Sequence, residues 1–128
     1  MAVTYLSQEW IDQYNAAMAG DEAVRAAAKG KSAVLQMVIS GAPQGEVRYW
    51  LRIADGGVAA GLGDNPDAEV TISQSYETSA EVNKGELDGQ KAFMQGKVKI
   101  SGKMLKMMQL RSPLEKVQAA LNTIDTEY

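Results

Sequence analysis

Ala92-Phe93-Met94-Gln95-Gly96-Lys97-Val98-Lys99-Ile100-Ser101-Gly102-Lys103-Met104-Leu105-Lys106-Met107-Met108-Gln109-Leu110 is the stretch whose reading decides the fold. An aromatic–Met pair and a glycine open it. Alternation then puts Val98 and Ile100 on one face of a short strand and Lys97 and Lys99 on the other. Gly102 makes a second turn. The apolar repeat at Met104, Met107 and Met108, widened by Leu105 and Leu110, predicts an amphipathic helix.

Toward the N-terminus the pattern is helix first, then strands. Ser7 can cap a helix, Glu9 favours its positive end, and Leu6 can staple against Ile11. Trp10, Ile11, Tyr14, Ala17 and Met18 share one apolar face, and residues 22–29 predict a second short helix ending at Gly30. A meander follows. Residues 33–40 alternate Leu35, Met37 and Ile39 against Gln36, Val38 and Ser40; a loop at 41–45 turns the chain. Residues 46–54 return with Val47, Tyr49, Leu51 and Ile53 opposed to Arg48, Trp50 and Arg52. Asp55-Gly56 is a hairpin signal, because positive φ is tolerated there, and Val58, Ala60 and Leu62 of the third strand point inward. Residues 68–73 predict a fourth strand, with Val70 and Ile72 inward. Ser75 caps a helix reaching Lys84 and closed by Gly85, and a short turn carries Phe93 and Met94. Downstream, Ser112-Pro113-Leu114-Glu115 reads as a capping box before the stripe Leu114, Val117, Leu121 and Ile124.

A chain of 128 residues fits a single domain spanning 1–128, which buries roughly two-thirds of its unfolded surface. Thirteen basic against 16 acidic residues, a formal charge of −3, argue against a nucleic-acid partner. The absence of histidine and cysteine excludes a Ser-His-Asp triad, a Cys-His pair, the usual zinc sites and a disulfide within the chain. Catalysis would fall to carboxylates, lysine or tyrosine, and no carboxylate pair stands at a defined offset on an apolar wall, so no enzymatic activity and no cofactor are expected. Gly61-Leu62-Gly63 lacks the rest of a phosphate loop, and the carboxylates of residues 64–69 lack calcium-loop spacing, so no metal is expected. No signal segment and no apolar run of ~20 residues occurs, and the last residues are not a Ser-Lys-Leu address. A cytoplasmic protein is the expectation.

The quoted stretch, together with Gly85-Glu86-Leu87-Asp88 upstream, resembles the sterol carrier protein 2 (SCP2) sterol-binding domain family. Element order extends the resemblance over nearly the whole chain. It implies an α/β (α+β) fold: a five-stranded, mostly antiparallel sheet covered on one face by helices, with an apolar cavity between the layers. It also implies lipid binding by Leu35, Met37, Tyr49 and Leu51 from the meander, Phe93, Met94, Val98 and Ile100 from the turn and strand, and Met104, Leu105, Met107 and Met108 from the helix. The implied partner is a small hydrophobic lipid: fatty acid, fatty acyl-CoA, phospholipid or sterol-like. An alternative within the resemblance is an accessory role, presenting intermediates such as isoprenoid quinone precursors to a biosynthetic assembly. Lys103 departs from the family's usual Asp or Asn, and the missing targeting signal fits a stand-alone prokaryotic relative better than a sterol carrier proper.

Three points stay open in the residues themselves. Methionine is unbranched and polarizable, so the Met cluster suits either a core filler or a cavity wall. Lys91, Lys97, Lys99, Lys103 and Lys106 either attract anionic ligands and transient membrane contact or protect a strand edge. Trp50 between Arg48 and Arg52 is either stacked by arginine or part of a homodimer contact.

Overall fold

The computed structural model describes residues 2–128. Its first strand, β1 (Val3–Thr4), leads to Ser7, whose hydroxyl accepts from the Trp10 amide at 3.2 Å and starts α1 (Gln8–Ala19). Trp10, Ile11, Tyr14 and Met18 are the buried face of α1, and Asp21 caps α2 (Glu22–Ala28) in the same way. The meander is β2 (Ala33–Ala42), β3 (Gly45–Ala54) and β4 (Gly57–Leu62). Asp55 and Gly56 both have positive φ, the two-residue turn that the Asp-Gly pair predicts. The first hairpin is tighter than the expected five-residue loop. Ala42 pairs with Gly45, leaving Pro43-Gln44 as the turn, and the register shifts once between Ile39 and Ala42.

Next come β5 (Val70–Ser75), α3 (Tyr76–Asn83), α4 (Gly89–Met94), β6 (Val98–Gly102), α5 (Met104–Gln109), α6 (Arg111–Leu121) and β7 (Thr126–Glu127). The main sheet has the order β4-β3-β2-β5-β6, with β2 and β5 parallel and the other pairs antiparallel. A five-stranded, mostly antiparallel sheet with helices is therefore the fold. β1 and β7 form a separate parallel pair that joins the two ends of the described chain. That pair has too few residues to leave a pattern in the sequence.

Alternation sets the core. Leu35, Ile39, Val47, Tyr49, Leu51, Ile53, Val70 and Ile72 are buried on one face of the sheet beneath the apolar sides of the helices. Trp10 is enclosed edge-on by Tyr5, Tyr14 and Tyr49, at ring-centroid distances of 4.9, 5.3 and 5.6 Å. Burial drives the Tyr14 and Tyr49 phenols far above their ordinary range, with a smaller push from a neighbouring tyrosine in each case.

Several boundaries differ from the sequence reading, each for a local reason. Asp88 accepts from the Gln90 and Lys91 amides at 2.8 and 3.2 Å, so Phe93 and Met94 end a short helix where a short turn was expected. The fourth strand starts two residues late. Asn65 holds its own loop by accepting from the Asp67 amide at 2.9 Å, and pairing begins only at Val70. Ser112 caps nothing. Leu110 is buried and its carbonyl accepts from the Leu114 amide at 2.9 Å, so α6 begins before the proposed box and Glu115 meets Arg111 instead. Leu62, expected inward, is 42% exposed at the end of its edge strand.

Gln36 also departs from expectation. It points away from the helices yet is buried: its amide donates to the Tyr49 and Gly63 carbonyls at 3.1 Å each, and its oxygen accepts from the Asn65 amide at 2.9 Å. Asn15 of α1 bonds both polar groups of Ala60, which protects the β4 edge.

Gly102 fixes how β6 meets the start of β5. Its φ is +107°, and a Cβ there would stand 2.3 Å from the Glu69 carbonyl oxygen. Gly102→Ala is expected to destabilise the protein by about 2 kcal/mol or more, read as a lower urea midpoint at unchanged m-value. A midpoint equal to the parent's would contradict this packing.

Candidate functional site

Three elements surround the far edge of the sheet. α4 precedes the edge strand β6, α5 follows it, and α6 continues through the buried Leu110. The Arg111 guanidinium donates to Gln90 Oε1 at 2.8 Å and so ties the start of α6 to α4. α5 is anchored by polar contacts, since none of its six residues is fully buried. Lys106 Nζ donates to the Ser32 carbonyl at 2.7 Å and lies 3.5 Å from Glu69 Oε2, while the Lys103 amide donates to the Glu69 carbonyl at 3.1 Å. Lys103 provides no side-chain cap, and among the described residues no other side chain supplies one to α5.

The twelve side chains expected to contact lipid fall into three depths. Leu35, Tyr49, Leu51 and Val98 are buried in the packed core. Met37, Ile100 and Met107 are half-buried and pack against it. Phe93, Met94, Met104, Leu105 and Met108 are exposed, and Met94, Leu105 and Met108 stand 77%, 70% and 73% open. The cavity expected between the layers thus takes a different form here. The side chains grade from filled core to an open apolar patch, because α5 rests on the sheet through Lys106 and Met107 and turns its other apolar residues outward.

The surface has clefts of about 460 and 710 Å3 elsewhere, one beside Gln13, Ala17 and Ile124 and one beside Arg25, Lys29 and Asp55. Neither touches any of the twelve positions. The carboxylates of the 64–69 loop do not converge: Asp64 meets Arg48 at 2.7 Å and Glu69 meets Lys106. Trp50 is half-buried against Gly61, with the Arg52 guanidinium 5.4 Å from its ring centroid. The sequence reading missed the Lys106 anchor, which depends on Ser32 and Glu69, residues far from it in the chain. Among the described residues, no helix is long and apolar enough to cross a membrane.

Residues 11–115 match the SCP-2 sterol transfer family. The structure is similar to the crystal structure of sterol carrier protein 2, with a TM-score of 0.79 at 20% identity over 94% of this chain and 98% of that one. It is equally similar (TM-score 0.79, 19% identity, 99% and 94% covered) to the solution structure of a conserved hypothetical protein, possibly a sterol carrier protein, from Thermus thermophilus. Palmitated SCP2L2 from Aedes aegypti matches with a TM-score of 0.57 at 16% identity, over 99% and 100% of the two chains. At these identities the structural likenesses establish the fold. The sequence has no match among the curated proteins.

Replacing the anchor tests the seat of α5. Lys106→Met is expected to speed amide exchange across α5 by about tenfold or more while β2 and β3 stay protected. Unchanged exchange in α5 would show that Lys106 does not hold it.

Proposed function

The chain belongs to the SCP-2 sterol transfer family, a membership that implies lipid binding or transfer, and we propose that its ligand is a fatty-acyl lipid held at the β6 edge. In this reading the acyl chain enters between α5 and the sheet, its tail against Met37, Ile100 and Met107, with Phe93, Met94, Met104, Leu105 and Met108 forming the mouth. The buried Leu35, Tyr49, Leu51 and Val98 form the floor. The observation that carries the reading is the gradation of depth among these side chains, from Met107 and Ile100 packed half-buried against the core to the exposed apolar residues of α4 and α5. A palmitated relative of the same fold supports the acyl class.

The energetics suit a carrier. Burying about ten methylenes supplies roughly 8 kcal/mol before ordering costs, which corresponds to loose, exchangeable binding. Methionine walls adapt to chains of different shape at little cost. No bond is made or broken in this role. The chain acts in the cytoplasm as a binding and transfer protein, and no ion pair to the ligand is needed for affinity.

Native mass spectrometry of the protein from its host, followed by solvent extraction, is expected to recover a fatty-acyl lipid. Met108→Arg provides the residue-level check. Because Met108 is exposed, stability should stay within about 0.5 kcal/mol of the parent, while affinity for a fluorescent fatty acid should fall about tenfold. A folded variant that binds like the parent would refute the assigned mouth. A lipid-free parent that ignores fatty acids and copurifies with a biosynthetic enzyme would instead favour the accessory role.

A further inference from the structure

The charge of this chain is sharply divided. Residues 89–111 hold six of the 13 basic residues and none of the 16 acidic ones, so the remainder carries seven basic against sixteen acidic. Two of the six are engaged: Lys106 with Ser32 and Glu69, and Arg111 with Gln90 and Glu115. Lys91, Lys97, Lys99 and Lys103 are exposed and form no ion pair among the described residues. The same segment holds five of the seven exposed large apolar side chains, all of them on α4 and α5. Exposed apolar side chains and uncompensated cations thus share the elements at one edge of an otherwise acidic protein.

We propose that this edge, α4–β6–α5, is a docking surface for an anionic lipid bilayer. Met94, Leu105 and Met108 enter the boundary between headgroups and acyl chains, and the four free lysines lie at the level of the anionic headgroups. A bilayer fits both halves of the patch, because it presents negative charge directly above hydrocarbon, and lysine stems reach along apolar surface to keep their ammonium groups in the polar layer. A second copy of the chain fits less well, since facing patches would bring the unpaired lysines of both copies together. Orientation follows from the same asymmetry. α1 carries Glu9 and Asp12 with no basic residue, so an anionic leaflet repels that side while it attracts the β6 edge. The surface coincides with the mouth assigned to the acyl ligand. Its purpose rests on that reading, whereas the docking itself is measurable on ligand-free protein.

Vesicles of phosphatidylcholine with and without phosphatidylserine provide the test. The parent is expected to sediment with the anionic vesicles at least about tenfold better than with the neutral ones and to lose the preference at high salt, since each cation contributes about fivefold near such a surface. Lys97→Glu/Lys99→Glu/Lys103→Glu should abolish the preference while uptake of fluorescent fatty acid in vesicle-free buffer stays at the parent level. The chain has no cysteine, so Met94→Cys and, as a control on α1, Asp12→Cys each accept one polarity-sensitive dye. The dye at position 94 should shift to the blue on anionic vesicles, and the dye at position 12 should not. Equal partition onto both vesicle types, equal shifts at both positions, or parent-like docking by the triple variant would overturn the proposal. A blue shift at position 94 without vesicles, accompanied by dimerisation in analytical sedimentation, would overturn it in favour of a second copy. Loss of fatty-acid uptake with docking intact would count against the ligand reading alone.

Discussion

The parallel pairing of β5 with β2 places every later element. Parallel neighbours cannot be joined by a tight turn, so the chain must cross over between them, and the β3–β4 hairpin with the loop after it makes that crossing. The register, Leu35 opposite Val70, is held at its start by the Glu69 amide donating to the Val34 carbonyl at 2.9 Å. The buried amide of Gln36 supports it by binding β3, the end of β4 and the crossover loop at once. With β5 in the middle of the sheet, the next strand can pair only on its free side. β6 is therefore an edge, and α4 and α5 are brought to that edge by their places on either side of it.

Glu69 connects this framework to the site. Its amide fixes the strand register, its carbonyl receives the Lys103 amide where Gly102 lets the chains approach, and its carboxylate meets Lys106. One residue thereby links the central pairing to the position of α5. Most of that link is polar. A short helix held by a few polar contacts and one half-buried methionine can change its distance from the sheet more readily than an element sunk in the core, which is the behaviour a lipid entry requires.

The sequence made much of this legible where a residue acts alone or through a short period. Ser7, Asp55-Gly56 and Ser75 marked their cap and turn positions, and alternation in 33–62 assigned the buried face of the meander. The element order and the motif around Gly96 and Gly102 led to the family. Contacts between distant residues were not legible. Asn15 closing the β4 edge, Gln36 buried on the polar-looking face and Lys106 reaching Ser32 all depend on chain placement that no local pattern encodes. The Met-rich helix shows the limit most clearly. Its period is correctly amphipathic, but periodicity gives a direction for the apolar face and says nothing of how fully a neighbour covers it.

The methionine methyl groups offer the most direct test of where lipid binds. Six of the seven methionines lie within the described residues and sample the whole range of depth: Met18 is on the buried face of α1, Met37 and Met107 are half-buried, and Met94, Met104 and Met108 are exposed. In a carbon-13 methyl spectrum titrated with a fatty acid below its micelle concentration, Met104, Met107 and Met108 should shift together and saturate with one affinity, with Met18 unmoved. Shifts confined to Met18, or none at any of these methyls, would place the ligand elsewhere and contradict a lipid site at the β6 edge.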